Sequence, residues 1–412
     1  MNPELSFEGV AAPAEQEARV APVARQARIE DIDVIRGFAL FGVLMMNLAT
    51  AFRIPFFAGP PSMGTGIDHV VGRAEFLLLA NKSMSLFSIL FGAGLAIFLE
   101  RASARDPHGA MWLLARRLLL LLAFGLAHIF LLWNGDILVS YALTGLLALL
   151  FIRLRPSVLL ATSAACILLP SLGVAWPALL ALSDTHVAGH YEEALRVYGT
   201  GSYLDIVRFR AHEVVHIVWR AYVYFWPHEL KNMLVGIVIW RSGILRAPLE
   251  HLRTLRWTAL VGIVLGSSFA IHRAIIAELY DTPAPPSVGR SLLFWTSLLL
   301  FSLGYGAGII LLLHSTRSRK WVAAVAPLGR MAFTNYLTQS IVFSTVFYGY
   351  GFGLVGKLGY AITALVGVGF YILQGIFSTI WLRHFRFGPF EWAWRSLTYG
   401  QLQPFRLRAV PA

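Results

Sequence analysis

From residue 34 to residue 381 the chain is an almost unbroken series of apolar runs joined by short, arginine-rich connections, and this pattern admits few folds. A helix needs about 20 predominantly apolar residues to cross a bilayer, because lipid offers no partner for stray backbone N–H and C=O groups. Such runs fall near residues 34–52, 84–100, 112–132, 137–152, 157–181, 213–240, 256–278, 291–314, 332–350 and 358–381. With only 14% charged residues, the chain lies far from the roughly 25% typical of soluble domains. It reads as an all-α polytopic membrane protein with about ten transmembrane helices. No segment between the runs is long enough to fold as a separate soluble domain.

An even number of spans puts both termini on one side, and the positive-inside rule chooses which. With a cytoplasmic N-terminus, Arg36, Arg101, Arg105, Arg116, Arg117, Arg153, Arg155, Arg241, Arg246 and the arginines after Trp381 all fall inside. Both termini are therefore expected to be cytoplasmic. The net charge of +12 then serves orientation and contact with anionic headgroups, which makes membrane lipid a partner and gives no ground for nucleic-acid binding. Residues 1–28, rich in Ala, Pro, Glu and Arg, read as a disordered cytoplasmic tail, and 29–382 as the helical bundle with an outer segment near 183–212. The remaining 383–412, with Arg383, Arg386, Arg395, Trp392 and Trp394, reads as a cytoplasmic interfacial segment. The single Cys166 lies in an apolar run and allows no disulfide framework.

Ionisable groups inside spans cost roughly 2.5 kcal/mol or more on insertion, so each invites a functional or a tightly paired role. In "DIDVIRGFALFGVLMMN" Asp33 and Arg36 share one face, with Asn47 eleven residues beyond Arg36. They suit either an interfacial ion pair or an arginine set to bind an anion. In "GLAHIFLLWNGDILVSYALTG" the turn between His128 and Asp136 is too short to hold the two groups far apart. A carboxylate that orients an imidazole makes a general base, the alternative being that Asp136 only caps the next helix. In "PLGRMAFTNYLTQS" Arg330, Thr334 and Thr338 form one stripe, and Asn335 and Gln339 another. The amides can bind a ligand or glue helices together.

"RAHEVVHIVW" carries His212, Glu213 and His216 as H-E-x-x-H, the zinc-protease spacing. A third ligand is needed, and none of His228, Glu229, Glu250 or His251 stands at a convincing distance in sequence. At helical spacing the two histidines continue into Arg220, Tyr224, His228 and Lys231. This predicts a polar seam running inward along a helix kinked at Pro227, with His216 and Arg220 facing a buried cavity, Glu213 turned toward Arg210 or solvent, and no metal.

"DVIRGFALFGVLMMN", "FSILFGAGL", "RRLLLLLAFGLAHIFLLWNGDILVSYALTGL", "GRMAFTNYLTQS" and "FGPFEWAWRSLTY" resemble, in the same order, the motifs of the YeiB-like family of bacterial inner-membrane proteins. The resemblance covers residues 30–400 and implies a bacterial inner-membrane location. The family is itself distantly similar to transmembrane acyltransferases such as heparan-glucosaminide acetyltransferase, which share a D-x-x-R-G opening helix matched here by Asp33 and Arg36. That likeness implies acyl transfer from a cytoplasmic acyl-CoA, a co-substrate and not a tightly bound cofactor, to an extracytoplasmic or lipid-linked small-molecule acceptor. Under it, Arg36 and Arg330 would hold phosphates, His128 and Asp136 would supply the base, and Asn134 or Asn335 would stabilise an oxyanion. The acetyltransferase histidine lies in the first outer loop, where this chain has His69 in a different setting, "GIDHVVGRAEF". A small-solute transporter is the alternative, although neither an internal repeat nor paired broken spans are visible. A homodimer is compatible with every one of these readings.

Overall fold

A computed structural model describes residues 29–54, 65–173, 187–280 and 288–407, with side chains at all of these except 187–189 and 268–280. The tail expected over 1–28 and the first residues of the outer segment, 183–186, lie outside the described residues, as do 408–412. Among the described residues the chain is helical, with one isolated bridge between Phe385 and Arg406. The helices are α1 (Glu30–Asn47), α2 (Ile67–Leu78), α3 (Lys82–Ser103), α4 (Ala110–Leu131), α5 (Leu138–Ala148) and α6 (Pro156–Ser171). Then follow α7 (Val187–Thr200), α8 (Tyr203–Glu213), α9 (Trp219–Arg241), α10 (Leu252–Tyr280) and α11 (Val288–Leu313). The chain closes with α12 (Arg319–Ala323), α13 (Ala326–Arg330), α14 (Ala332–Phe347), α15 (Tyr360–His384) and α16 (Pro389–Tyr399). Two π turns, Leu48–Phe52 and Val214–Val218, extend α1 and join α8 to α9.

Among the described residues, five stretches are long and apolar enough to cross a membrane: Glu30–Phe52, Ile67–Ser103, Ala110–Leu131, Val288–Leu313 and Tyr360–His384. The segments expected as the other spans are helical where described, as α5, α6, α9, α10 and α14, of which α5, α6 and α14 have only 11, 16 and 16 residues; 174–181 of the expected 157–181 lie outside the described residues. Outward faces stay apolar, as lipid contact requires, with Leu365 and Leu373 on α15 at 73% and 63% exposure. Inside, helices close to short range through small residues, the packing mode available where lipid is as apolar as leucine. A Cβ on Gly236 of α9 would overlap the Ile89 carbonyl oxygen, and one on Gly92 of α3 the Met233 carbonyl oxygen, so α3 and α9 touch backbone to backbone. The outer segment folds as α7 and α8, the latter opened by a capping box between Ser202 and Asp205. The segment expected at the interface contains α16, which docks onto the bundle.

Candidate functional site

The site begins at the turn after α4. Trp133 is fully buried and stacks on Phe52 with ring centroids 4.3 Å apart, which pins the turn against the end of the first helix. Asp136 follows and uses both oxygens. Oδ2 accepts the Val139 amide at 2.6 Å and so caps α5, while Oδ1 pairs with His128 Nδ1 at 2.7 Å. The two alternatives open for Asp136, helix cap and partner of the imidazole, are thus both realised. The other ring nitrogen, His128 Nε2, lies 2.8 Å from Ser340 Oγ on α14. His128, Asp136 and Ser340 are 1%, 3% and 1% exposed. In the tautomer with its proton on Nδ1, His128 donates to Asp136 and Nε2 is free to accept the Ser340 hydroxyl proton, whose other acceptor is the Tyr336 carbonyl at 3.3 Å. The result is a serine–histidine–aspartate chain in the order that activates a nucleophile.

Two tyrosines hold the frame. Tyr222 donates to the Asp136 carbonyl oxygen at 2.7 Å, and the Ile137 amide donates to Tyr336 Oη at 3.2 Å. The Tyr336 ring lies one turn before Ser340 and 5.2 Å from the His128 ring. Tyr336, Ile137 and Tyr141 also line a cavity of about 620 Å³, whose lining does not include His128, Asp136 or Ser340. Its walls are apolar, including Leu40, Val43, Leu90 and Phe91, and its mouth carries Asp33, Arg36, Arg101, Arg105, Arg117, Arg330 and Arg395. From Arg117 to His128 is eleven residues of α4, about 16 Å at the helical rise. Arg36 pairs with Asp33 at 3.2 Å. Arg330 reaches the same mouth because Gly329 lets α13 press on the Asp33 carbonyl of α1, where a Cβ would overlap.

Helix α16 forms one wall through Glu391, Trp394, Arg395 and Tyr399. Arg117 stacks over Trp394 at 3.7 Å, and Trp394 Nε1 donates to the Arg117 carbonyl at 2.9 Å. Glu391 caps α14, accepting the amides of Phe333 at 2.8 Å and Thr334 at 3.1 Å and the Thr334 hydroxyl. Burial pushes its carboxyl up from the ordinary range, against the pull of these hydrogen bonds and of the helix N-terminus. One side chain therefore fixes both the cavity wall and the helix that carries Ser340.

Other expected site residues lie elsewhere. Asn47 is buried on α1 but does not line the cavity. Asn335 donates to the Leu328 carbonyl at 3.2 Å and to Ser378 at 3.1 Å, and Gln339 donates to Gln374 at 2.9 Å. These amides join α14 to α13 and α15, away from the cavity. His69 sits half-buried on α2, also outside the cavity lining.

The polar seam expected along His212, His216 and Arg220 is not formed. His212, His216 and Arg220 are exposed, whereas Glu213 is fully buried. The three keep their i,i+4 register but share the outward face of the helix, and Glu213, about 100° around it, is the residue turned inward. The inner residues His228 and Lys231 are buried, and Lys231 Nζ donates to the Trp295 carbonyl at 3.2 Å. The H-E-x-x-H histidines stack on each other with centroids 4.3 Å apart and point away from Glu213's surroundings. Among the described residues no three His, Cys, Asp or Glu side chains group as a metal site.

Glu213 instead anchors a second buried cluster that the sequence did not suggest. It accepts from Asn134 at 2.7 Å, from His190 at 2.9 Å and from Tyr198. The Glu213 hydrogen bond raises His190 above its ordinary 6.5. Asn134 therefore serves this cluster, two residues from Asp136 in the same turn.

Fold and site together define an all-helical membrane protein with a buried polar centre behind the lining of an arginine-mouthed cavity. The chain belongs to the YeiB-like family. It is 30% identical to the uncharacterized protein YeiB of Escherichia coli (strain K12) over 396 residues, covering 89% of this chain and 95% of that protein. It is 34% identical to the uncharacterized protein YxaH of Bacillus subtilis (strain 168) over 407 residues, 93% of this chain and 97% of the relative. Residues 239–401 match the family described as "Protein of unknown function (DUF418)". No solved structure matches the chain.

Proposed function

We propose that this protein is an acyltransferase of the bacterial inner membrane, with ten spans and both termini in the cytoplasm. It moves an acyl group from a cytoplasmic acyl-CoA to an extracytoplasmic or lipid-linked hydroxyl or amine. The observation that carries this reading is the hydrogen-bonded chain Asp136–His128–Ser340, which lies behind Ile137 and Tyr336 of the cavity lining. A volume of about 620 Å³ is in the range of small-molecule and cofactor sites. Its lining is amphipathic in the sense an acyl-CoA requires: guanidinium groups for phosphates at the mouth, and apolar walls for the thioester arm and acyl chain. Arginine at this end also matches the cytoplasmic side under the positive-inside rule. In the reaction His128 Nε2 takes the proton of the attacking group, and the Asp136 carboxylate stabilises the imidazolium that forms.

The test uses membranes enriched in the full-length protein and radiolabelled acetyl-CoA or dodecanoyl-CoA. The expected result is transfer of label to a lipid or glycan fraction, abolished in His128→Ala. Arg36→Ala and Arg330→Ala should each raise the KM for donor about tenfold, the worth of one charge-assisted hydrogen bond. Solute flux through proteoliposomes without acyl donor, combined with no transfer of label, would replace this reading by transport.

A further inference from the structure

The geometry points to Ser340 as the nucleophile that holds the acyl group as a covalent ester between donor and acceptor. This rests on the acyl-transfer reading above. For a direct transfer, His128 would act on the acceptor itself, and Nε2 would have to face open space. It does not: Ser340 Oγ occupies that nitrogen at 2.8 Å, and His128 is 1% exposed. The only proton His128 is placed to remove is that of Ser340. The remaining contacts of the triad are consistent with this role, because each fixes one member. Asp136 holds Nδ1 at 2.7 Å, and its own position is set by the Val139 amide and by Tyr222. Ser340 rides on α14, whose N-terminus is clamped by Glu391 from α16.

The cavity supplies the route. Tyr336, one turn before Ser340 on the same helix, is part of its lining. An acyl chain that fills the cavity from the arginine mouth brings its carbonyl against this ring. His128, Asp136 and Ser340 do not themselves line the cavity, so acylation of Ser340 requires the Tyr336 ring, which accepts the Ile137 amide at 3.2 Å, to move aside.

The step balances without a further reagent. Ser340 Oγ attacks the thioester carbonyl carbon, forming the C–O bond, and its proton passes to His128 Nε2. Collapse of the tetrahedral intermediate breaks the C–S bond, and the leaving thiolate takes that proton as coenzyme A. The acceptor O–H or N–H then attacks the ester carbonyl and gives its proton to Nε2. The C–Oγ bond breaks, and Oγ recovers the proton. A covalent stage lets donor and acceptor use the site in turn, so the donor can leave by the arginine mouth before the acceptor arrives.

The experiment uses the purified full-length protein in lipid nanodiscs, probed with a fluorophosphonate and, separately, with acetyl-CoA in the absence of acceptor. Intact-mass and peptide analysis should find one phosphonyl adduct on Ser340 and, after acetyl-CoA, one acetyl group at the same residue. His128→Ala should slow phosphonylation by several orders of magnitude, up to about 10⁶-fold, the cost of losing a triad base. Ser340→Ala should abolish both adducts. The buried Ser344, one turn further along α14, is the control, and Ser344→Ala should label as the wild type. If Ser340→Ala fails to fold, Ser340→Cys keeps the geometry and should capture the acetyl group as a thioester cleaved by neutral hydroxylamine. Acyl transfer at the wild-type rate by a folded Ser340→Ala overturns the covalent step while leaving acyl transfer intact. Phosphonylation of Ser340 without any consumption of acyl-CoA supports the nucleophile and removes the acyl-CoA donor instead.

Discussion

Replacing Asp136 by asparagine changes two atoms' chemistry and almost no volume, and the hydrogen bonds around it dictate the outcome. The Asp136 carboxylate serves two donors, the Val139 amide at 2.6 Å and His128 Nδ1 at 2.7 Å. An asparagine has one oxygen. The Val139 amide can only donate, so the oxygen must turn to it, and the NH2 group then faces His128. The opposite orientation would set two donors against each other at the helix cap, at about 1–3 kcal/mol for the buried group left unpaired. Facing an NH2 group, Nδ1 must accept, and the ring proton moves to Nε2. His128 then donates to Ser340 and can no longer take its proton. A wrong tautomer in a serine–histidine–aspartate triad lowers turnover about 10⁴-fold, which is about 5.4 kcal/mol of barrier at 1.36 kcal/mol per decade. Folding should suffer far less, because the cap survives and one charge-assisted hydrogen bond becomes a neutral one, at about 1 kcal/mol. Asp136→Ala, by contrast, removes the cap as well and should cost about 1–2 kcal/mol more in stability. The assay is the second-order rate of fluorophosphonate labelling, measured beside thermal unfolding in detergent. Labelling of folded Asp136→Asn within tenfold of wild type would refute the tautomer argument, and with it the role of the Asp136–His128 pair.

Three further outcomes follow from the packing. Gly236→Ala should destabilise the bundle by about 3 kcal/mol, the upper end of overpacking costs, because its methyl group meets the Ile89 backbone and not a movable side chain; thermal unfolding reads this, and an unchanged Tm would mean that α3 and α9 are less closely packed. Glu391→Ala leaves three donors at the start of α14 without their acceptor and should lower stability by about 2–4 kcal/mol. It should also slow Ser340 labelling, and retention of the labelling rate would show that α16 does not position α14. His190, whose pKa Glu213 raises above 6.5, contributes most to the docking of α7 below that pH and loses the contribution as pH rises through the raised value. Amide-exchange protection in α7 should therefore fall as pH rises above 6.5 through the raised value, and Glu213→Gln should flatten that dependence.

Much of this protein was legible along the chain, because the forces responsible act locally. Insertion into lipid selects apolar runs residue by residue, and the positions of α1, α3, α4, α11 and α15 were readable from that requirement alone. The His128–Asp136 contact was readable for a similar reason, since a turn of so few residues cannot separate its ends. The amphipathic pattern of α16 was also visible, although its grip on α14 through Glu391 was not.

What only the tertiary structure decided is whatever depends on how distant helices cross. Ser340 stands 212 residues from His128, and nothing in "TNYLTQSIVFS" distinguishes it from Ser344. Arg330 meets Arg36 because a glycine lets α13 lie on α1. His212, Glu213 and His216 kept their sequence spacing but lost their common purpose, because the packing of this helix turned the Glu213 face inward and left the histidine face outside. Sequence periodicity determined which residues are helical and which faces are apolar. Side-chain volume and backbone contact between helices determined which polar groups the bundle brings together.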